Sequence, residues 1–374
     1  MRIEIEKTLL QKALNDVIKA VPTRPVVPIL SNILIELDSA GTMRLTASDA
    51  ESLSLRRTLV PSQSDGEGTT TVPAKILTDL LRTLPEGTVE IESSDHNTIL
   101  VTAGFSESEI PTLPAKDYPN VSGANPETAK TVTFDAGMFQ DAIAKTAYAV
   151  ANDAIRPALC GIHFDLAENG ESHAVGTDSR TLVVYDLKTE KCPEAFSFIL
   201  PDKTAAVLKG LLPKDGKVTV RFDTNAEISF DGTEVITRLI VAKYPNYKSV
   251  IPKENDKIFT VNRVELVNSL QRVAILASQT TNIAKLELEN DSLRLLAEDR
   301  ALSCKGSDRL TVKYDGEPLT IGFNVSLLLN VLNNISSEEI VIKLKSPRHP
   351  ALFIPAEEEN KTEPTTTLLM PLCI

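Results

Sequence analysis

Cysteine, histidine and positive charge are all in short supply in this chain. Its 374 residues contain four cysteines, Cys160, Cys192, Cys304 and Cys373. No two form a C-x-x-C pair and none stands near two histidines at a zinc spacing, so no metal site is expected and the thiols read as reduced and partly buried. The four histidines, His96, His163, His173 and His349, are scattered; His163 falls in a strand pattern and reads as structural. Phosphate-binding G-x-x-x-x-G-K-[ST] and G-x-G-x-x-G turns are missing, as are H-E-x-x-H and G-x-S-x-G. These absences argue against an enzyme and against a cofactor. No apolar run approaches the roughly 20 residues that span a bilayer. The N-terminus, Met1-Arg2-Ile3-Glu4-Ile5-Glu6, lacks the apolar segment of a signal peptide. A cytoplasmic protein with no membrane contact is the expectation. Lys and Arg number 39 against 51 Asp and Glu, a net charge of −12, which taken alone argues against a conventional DNA binder.

What is present is repetition. The length predicts two or three domains, and a composition of 42% hydrophobic and 24% charged residues excludes a disordered chain. Three segments share one order of features. Helical patterns at Leu9–Val21, Met138–Ala151 and Val264–Ala277 each lead into strands that end on a polar group containing Asp49, Asp178 or Asp299. A second helical pattern follows at Ala74–Thr83, Lys203–Leu212 and Val325–Ile335, and then strands such as Thr88–Glu92, Lys217–Phe222 and Glu339–Leu344. Leu10, Ala13, Leu14, Val17, Ile18 and Val21 place one apolar face on the first helix. Alternation as in Lys285-Leu286-Glu287-Leu288-Glu289 suits antiparallel sheets with one wet face. The fold class is α+β: three repeated domains, each with two helices packed on antiparallel sheet, at 1–121, 130–251 and 257–374. The three aspartates could be carboxylates for acid–base work. Their equivalent places in separate repeats instead indicate turns in which Asp bonds local backbone.

The charge is unevenly distributed. Six helical windows (7–24, 73–83, 135–156, 201–214, 263–282 and 324–336) total +6, leaving −18 on the rest of the chain. Mildly basic helix faces and an acidic remainder are what six helices lining a surface toward a polyanion would have.

Short motifs in fixed order carry a family resemblance over essentially the whole chain. They include Arg24-Pro25 with Pro28-Ile29-Leu30-Ser31-Asn32, Thr46-Ala47-Ser48-Asp49 and Leu113-Pro114-Ala115-Lys116-Asp117-Tyr118-Pro119. Further on stand Arg156-Pro157-Ala158-Leu159-Cys160-Gly161, Gly176-Thr177-Asp178, Tyr244-Pro245-Asn246-Tyr247, Ile321-Gly322-Phe323-Asn324-Val325 and Leu369-Met370-Pro371-Leu372. The chain resembles the bacterial sliding clamps, the beta subunits of DNA polymerase III. The resemblance implies clamp-type domains in a head-to-tail homodimer that closes a six-domain ring around double-stranded DNA. It implies a processivity factor that tethers the replicative DNA polymerase and also serves the clamp loader and repair proteins. Arg24 matches a basic position near DNA; helix placement adds Lys12, Lys19, Lys75, Arg82, Arg156 and Lys209. A peptide pocket is implied at Leu159, Thr177, Leu182, Pro245, Val250, Leu368, Leu369, Met370, Pro371 and Leu372. For the dimer seam the resemblance implies Ile275 and Leu276, with Ile110 as partner.

Three positions depart from the family pattern. Ser179-Arg180-Thr181-Leu182 replaces Gly-His-Arg-Leu, Ser249 stands where relatives can carry Arg, and the chain ends Cys373-Ile374 where relatives often end Arg-Leu. The competing reading is a peptide-binding scaffold of the same fold that does not encircle DNA.

Overall fold

Among the described residues, apolar side chains at helical spacing produce six α-helices in the computed structural model: α1 (Lys7–Val17), α2 (Ala74–Thr83), α3 (Ala136–Thr146), α4 (Asp202–Lys209), α5 (Arg263–Ala274) and α6 (Val325–Asn333). The structure describes every residue except 95–96, 120–121, 154, 189–193 and 357–364. His96, Cys192 and the expected domain end at residue 121 lie outside the described residues. Cys160 and Cys304 are half-buried, Cys373 is exposed, and all three are free thiols.

Helix α2 has the expected bounds, Ala74–Thr83, whereas the other five end earlier than their apolar patterns suggest. The last turn of the first pattern is a separate 3-10 turn, Ile18–Ala20, tightened ahead of Pro22, which cannot continue a helix. The third pattern stops at Thr146, whose hydroxyl donates to the Ala142 carbonyl at 2.6 Å, and a 3-10 turn, Ala147–Ala149, follows. Starts are better defined. Asn262 and Asn324 cap α5 and α6 by accepting the N–H of Glu265 and Leu327 at 3.0 Å each.

Every repeat runs strand, helix, four strands, helix, three strands, with one additional short strand, Gln63–Asp65, in the first. The strands pair across repeats, and the chain divides into two compact units. One comprises Met1–Phe139 and Ala206–Leu239, the other Gln140–Ala205 and Ile240–Ile374. In the first unit a five-stranded sheet runs from Gln63–Asp65 at one edge to Ser106–Pro111 at the other. Its eight-stranded sheet joins Leu53–Leu59 of the first repeat to Thr233–Arg238 of the second, with Leu53 opposite Thr237. Helices α1 and α2 bury Leu10, Leu14, Val17, Leu77 and Leu81. In the second unit an eight-stranded sheet joins Thr181–Lys188 of the second repeat to the C-terminal strand Thr365–Leu369 of the third, with Thr181 opposite Leu369. A four-stranded sheet there ends on Cys304–Thr311. Leu266 and Leu270 of α5, Leu328 and Val331 of α6, Phe323, Phe353 and Leu369 share one core.

All three aspartates make the turn that their position suggested. Asp49 Oδ1 accepts the N–H of Ser52 and Leu53 at 2.8 and 2.9 Å. Asp178 Oδ1 accepts Arg180 and Thr181 at 2.8 and 2.6 Å, and Asp299 Oδ1 accepts Ala301 and Leu302 at 2.9 and 3.2 Å. Saturated with backbone donors in this way, the carboxylates serve the turns.

Gly176 permits the close approach of a strand to the end of α3: a Cβ there would lie 2.3 Å from the Thr146 carbonyl oxygen. That backbone atom cannot move aside as a side-chain tip can. Gly176→Ala should therefore cost about 1–3 kcal/mol through overpacking. Gly210→Ala, where a Cβ meets nothing closer than 3.8 Å, should stay within about 0.5 kcal/mol. Urea unfolding midpoints of the two variants measure the difference.

Candidate functional site

The C-terminal strand sets the geometry of an apolar cluster at the expected cleft. Its register places Leu368 opposite both Leu182 and Leu352. Because side chains alternate along a strand, Leu368, Leu182 and Leu352 fall on one face, where they pack with Val175, Val184 and Tyr247. Thr177 lies directly opposite Leu182, and its hydroxyl donates to the Thr181 carbonyl at 2.6 Å. Met370, 37% exposed, is fixed by its N–H donating to the Arg180 carbonyl at 2.8 Å. Pro245 and Val250 are exposed on a segment whose Tyr244 and Ile251 pack against the same cluster.

Two expected wall residues are placed elsewhere. Leu369 is fully buried on the opposite face, inside the third-repeat core; the period of two that turns Leu368 toward the Leu182 cluster turns its neighbour away. Leu372 bridges to Gly322, whose carbonyl accepts the Leu372 N–H at 2.8 Å. Ile374 then lies in a different cleft of about 470 Å³ with Lys285, Leu296 and Lys305. A Cβ at Gly322 would come within 2.3 Å of Ile374 Cγ2, so a larger residue there would displace that side chain. Pro371 sits half-buried at the change of direction. Leu159 is buried at the end of a 3-10 turn, Pro157–Leu159.

An aromatic stack supports the cleft from below. His163 lies against Tyr244 with ring centroids 4.2 Å apart and planes 8° from parallel. Burial pulls the His163 imidazole down to about 4, so it is neutral at pH 7. The Tyr247 hydroxyl donates to Asp165 Oδ2 at 2.7 Å, and Lys248 Nζ pairs with the same oxygen at 3.1 Å. Burial opposes the Asp165 charge, but these two partners outweigh it and hold the carboxyl below its ordinary value. Tyr244 and Tyr247 belong to a motif visible in the sequence. Val175, Val184 and Leu352 carry no local signal, because only strand pairing brings them to the cleft.

The basic side chains divide by role. Lys12, Arg24 and Lys75 are exposed in the first unit. Lys19 pairs with Asp16 at 3.6 Å and donates to the Gly210 carbonyl at 3.1 Å, and Arg82 pairs with Asp79 at 3.1 Å. Lys209 is exposed at the last residue of α4. Arg156 is not on a helix: α3 ends ten residues earlier at Thr146, and the guanidinium bonds Asp153 at 3.6 Å and the Ser179 hydroxyl. It belongs to the Ser179–Arg180 turn, beside the cleft. Two further cations counted in the helical windows are engaged by their own chain, one buried and one half-buried. Lys7 is buried and donates to the Leu84 carbonyl at 2.7 Å and to Glu86 at 2.8 Å. Arg263 donates to the Ser337 carbonyl at 2.7 Å. The outward basic face is correspondingly weaker than the sequence count.

At the expected seam, Ile275 is 83% exposed at the end of α5, and Leu276 Cδ1 covers Gly306, where a Cβ would lie 2.4 Å away. Ile110 is buried in its own sheet. Among the described residues no group of three His, Cys, Asp or Glu side chains is disposed to hold a metal ion, and no helix is long and apolar enough to cross a membrane.

Three family models match in tandem: the N-terminal domain of the DNA polymerase III beta subunit over residues 1–122, the central domain over 133–246 and the C-terminal domain over 248–372. The beta sliding clamp of Proteus mirabilis is 31% identical, with 92% of this chain and 93% of that protein covered. The crystal structure of the DNA polymerase III subunit beta from Pseudomonas aeruginosa superposes with a TM-score of 0.93 at 27% identity, covering 100% of both chains. A second crystal structure from that organism, of the clamp bound to griselimycin, gives a TM-score of 0.92 at 27% identity over 100% of both chains. With all three domain models in order along one chain, this protein belongs to the DNA polymerase III beta subunit family, the bacterial sliding clamps.

Proposed function

We propose that this chain is a processivity clamp of DNA replication, non-enzymatic and cytoplasmic. Two copies, joined head to tail, close a six-domain ring from domains at 1–121, 130–251 and 257–374, and the helices face duplex DNA. The observation that carries this reading is the tandem run of three beta-subunit domain models, one for each repeat. A closed ring holds DNA by topology, so its lining needs only weak, non-specific phosphate contacts. Exposed Lys12, Arg24, Lys75 and Lys209, with Lys19 and Arg82 moderated by Asp16 and Asp79, supply such contacts without a dense field that would impede sliding.

The apolar cleft is the second working part. Leu182, Leu368 and Met370, framed by Leu159, Thr177, Pro245, Val250 and Pro371, offer a greasy, adaptable surface for short peptides of the replicative polymerase, the clamp loader and repair proteins. The Arg156–Ser179 contact and the Arg180–Met370 backbone bond give its rim a shape particular to this chain. The non-encircling scaffold is not favoured, because the match runs through all three domains and includes the helices as well as the cleft.

Two outcomes follow. Clamp loaded on nicked circular duplex should remain bound in moderate salt and be lost once the circle is cut to a linear form; equal retention on both would refute encirclement. Deleting Met370–Ile374 should weaken griselimycin binding at least about tenfold, or 1.4 kcal/mol, with the dimer mass unchanged. Calorimetry and sedimentation measure the two effects, and undiminished affinity would remove the cleft from the assignment.

A further inference from the structure

The segment that follows the strand Thr365–Leu369 is bonded at two points, one on each side of Pro371. The Met370 N–H donates to the Arg180 carbonyl at 2.8 Å, and the Leu372 N–H donates to the Gly322 carbonyl at 2.8 Å. Arg180 belongs to the Asp178 turn, two residues before Leu182. Gly322 belongs to Leu319–Asn324, the strand at one edge of the four-stranded sheet, and Leu372 adds a single bridge to that edge. Met370 is therefore held between a turn of the second repeat and a sheet edge of the third.

The seat on that edge is a gap in the sheet surface. Ile321 and Phe323 are fully buried in the third-repeat core. Alternation turns the position between them to the other face, where Gly322 stands opposite Lys285. Ile374 takes the place that a side chain at Gly322 would fill. A Cβ there would lie 2.3 Å from Ile374 Cγ2, 3.2 Å from the Leu372 carbonyl oxygen and 3.5 Å from Ile283 Cγ2. A hydrogen bond at a solvent-facing edge contributes little net stability. The apolar contact of Ile374 with bare backbone and Ile283 is what keeps the bridge closed. Ile374 is nevertheless 51% exposed, so the closure is modest and can open.

On the footing of the peptide cleft proposed above, we infer that Ile374 is a positioning residue for that cleft: seated on Gly322, it latches Leu372 to the sheet edge and so holds Met370 where an incoming peptide meets it. Ile374 lies apart from the Leu182 cluster, in the separate cleft with Lys285 and Lys305. Its influence runs through the backbone of residues 371–373. Pro371 stiffens that path, because its ring fixes φ near −65°, and the place of Leu372 thereby constrains Met370. With the latch open, Met370 keeps only the Arg180 bond and samples other orientations. Only the fraction of chains with Met370 in place then binds at full strength. An apolar side chain at position 374 is what the seat requires; a polar one would leave Gly322 and Ile283 uncovered.

Amide exchange and griselimycin affinity test the latch in the full chain. Ile374→Ser removes the apolar contact, and Gly322→Ala fills its seat. Each should speed deuterium exchange at the Met370 and Leu372 amides. Each should also raise the griselimycin dissociation constant about three- to tenfold, as expected when about 10–30% of chains hold Met370 in place, with the dimer mass unchanged. Both changes break one contact, so their combination should be no worse than the more severe of the two. Ile374→Leu keeps an apolar side chain for the seat and should stay near wild type in both readings. Should Gly322→Ala not fold, Ile374→Ser decides alone, because its side chain lies outside the core. Exchange unchanged by Ile374→Ser overturns the latch. Faster exchange with an unchanged or tighter griselimycin complex overturns its coupling to Met370. A Met370→Ala chain that binds griselimycin as tightly as wild type overturns the cleft and the coupling with it; the exchange reading, which needs no peptide, tells that failure from the failure of the latch.

Discussion

Backbone hydrogen bonding across repeats is the constraint on which the rest of the structure depends. A strand at a sheet edge carries a row of unpaired N–H and C=O groups, and such edges must be covered or paired. Here Leu53–Leu59 is paired by Thr233–Arg238, and Thr181–Lys188 by Thr365–Leu369. Each union makes one eight-stranded sheet from two repeats. The repeats are therefore not separate beads, and the contact-defined units cut through the second repeat.

The apolar cluster of Leu182, Leu352 and Leu368 is a direct product of that pairing. The C-terminal strand brings Leu368 to Leu182, and its next residue, Leu369, closes the third-repeat core. One segment thus packs into two apolar clusters, one on each of its faces. The stack of His163 on Tyr244 and the Tyr247–Asp165–Lys248 bonds hold the loop bearing Pro245 and Val250. An imidazole kept neutral by burial is suited to this packing role, since a charge there would be costly.

Much of this was legible before the structure. The 3.6-residue spacing of Leu10, Leu14 and Val17 identified a helix, alternation at Lys285–Glu289 identified a strand, and Asp49, Asp178 and Asp299 identified equivalent turns. Where local signals ended, tertiary context had decided. Helix α3 ends at Thr146, which removed Arg156 from any helix face. Lys7 looked like a surface cation, yet it is buried against the Leu84 carbonyl and Glu86. Leu368 and Leu369 are alike in composition, and only the register sends one to the Leu182 cluster and the other to the third-repeat core.

The sequence by itself determined the threefold repeat, the element order, the opposition of mildly basic helices to an acidic remainder, and the motifs of the clamp family. These reside in local periodicity and short spacings, which a linear reading can count. Only the tertiary structure decided which strands meet, which cluster each face of the C-terminal strand joins, and which cations are already bonded. Each of those depends on partners distant in the chain, and backbone pairing between distant strands leaves no periodic mark in either segment.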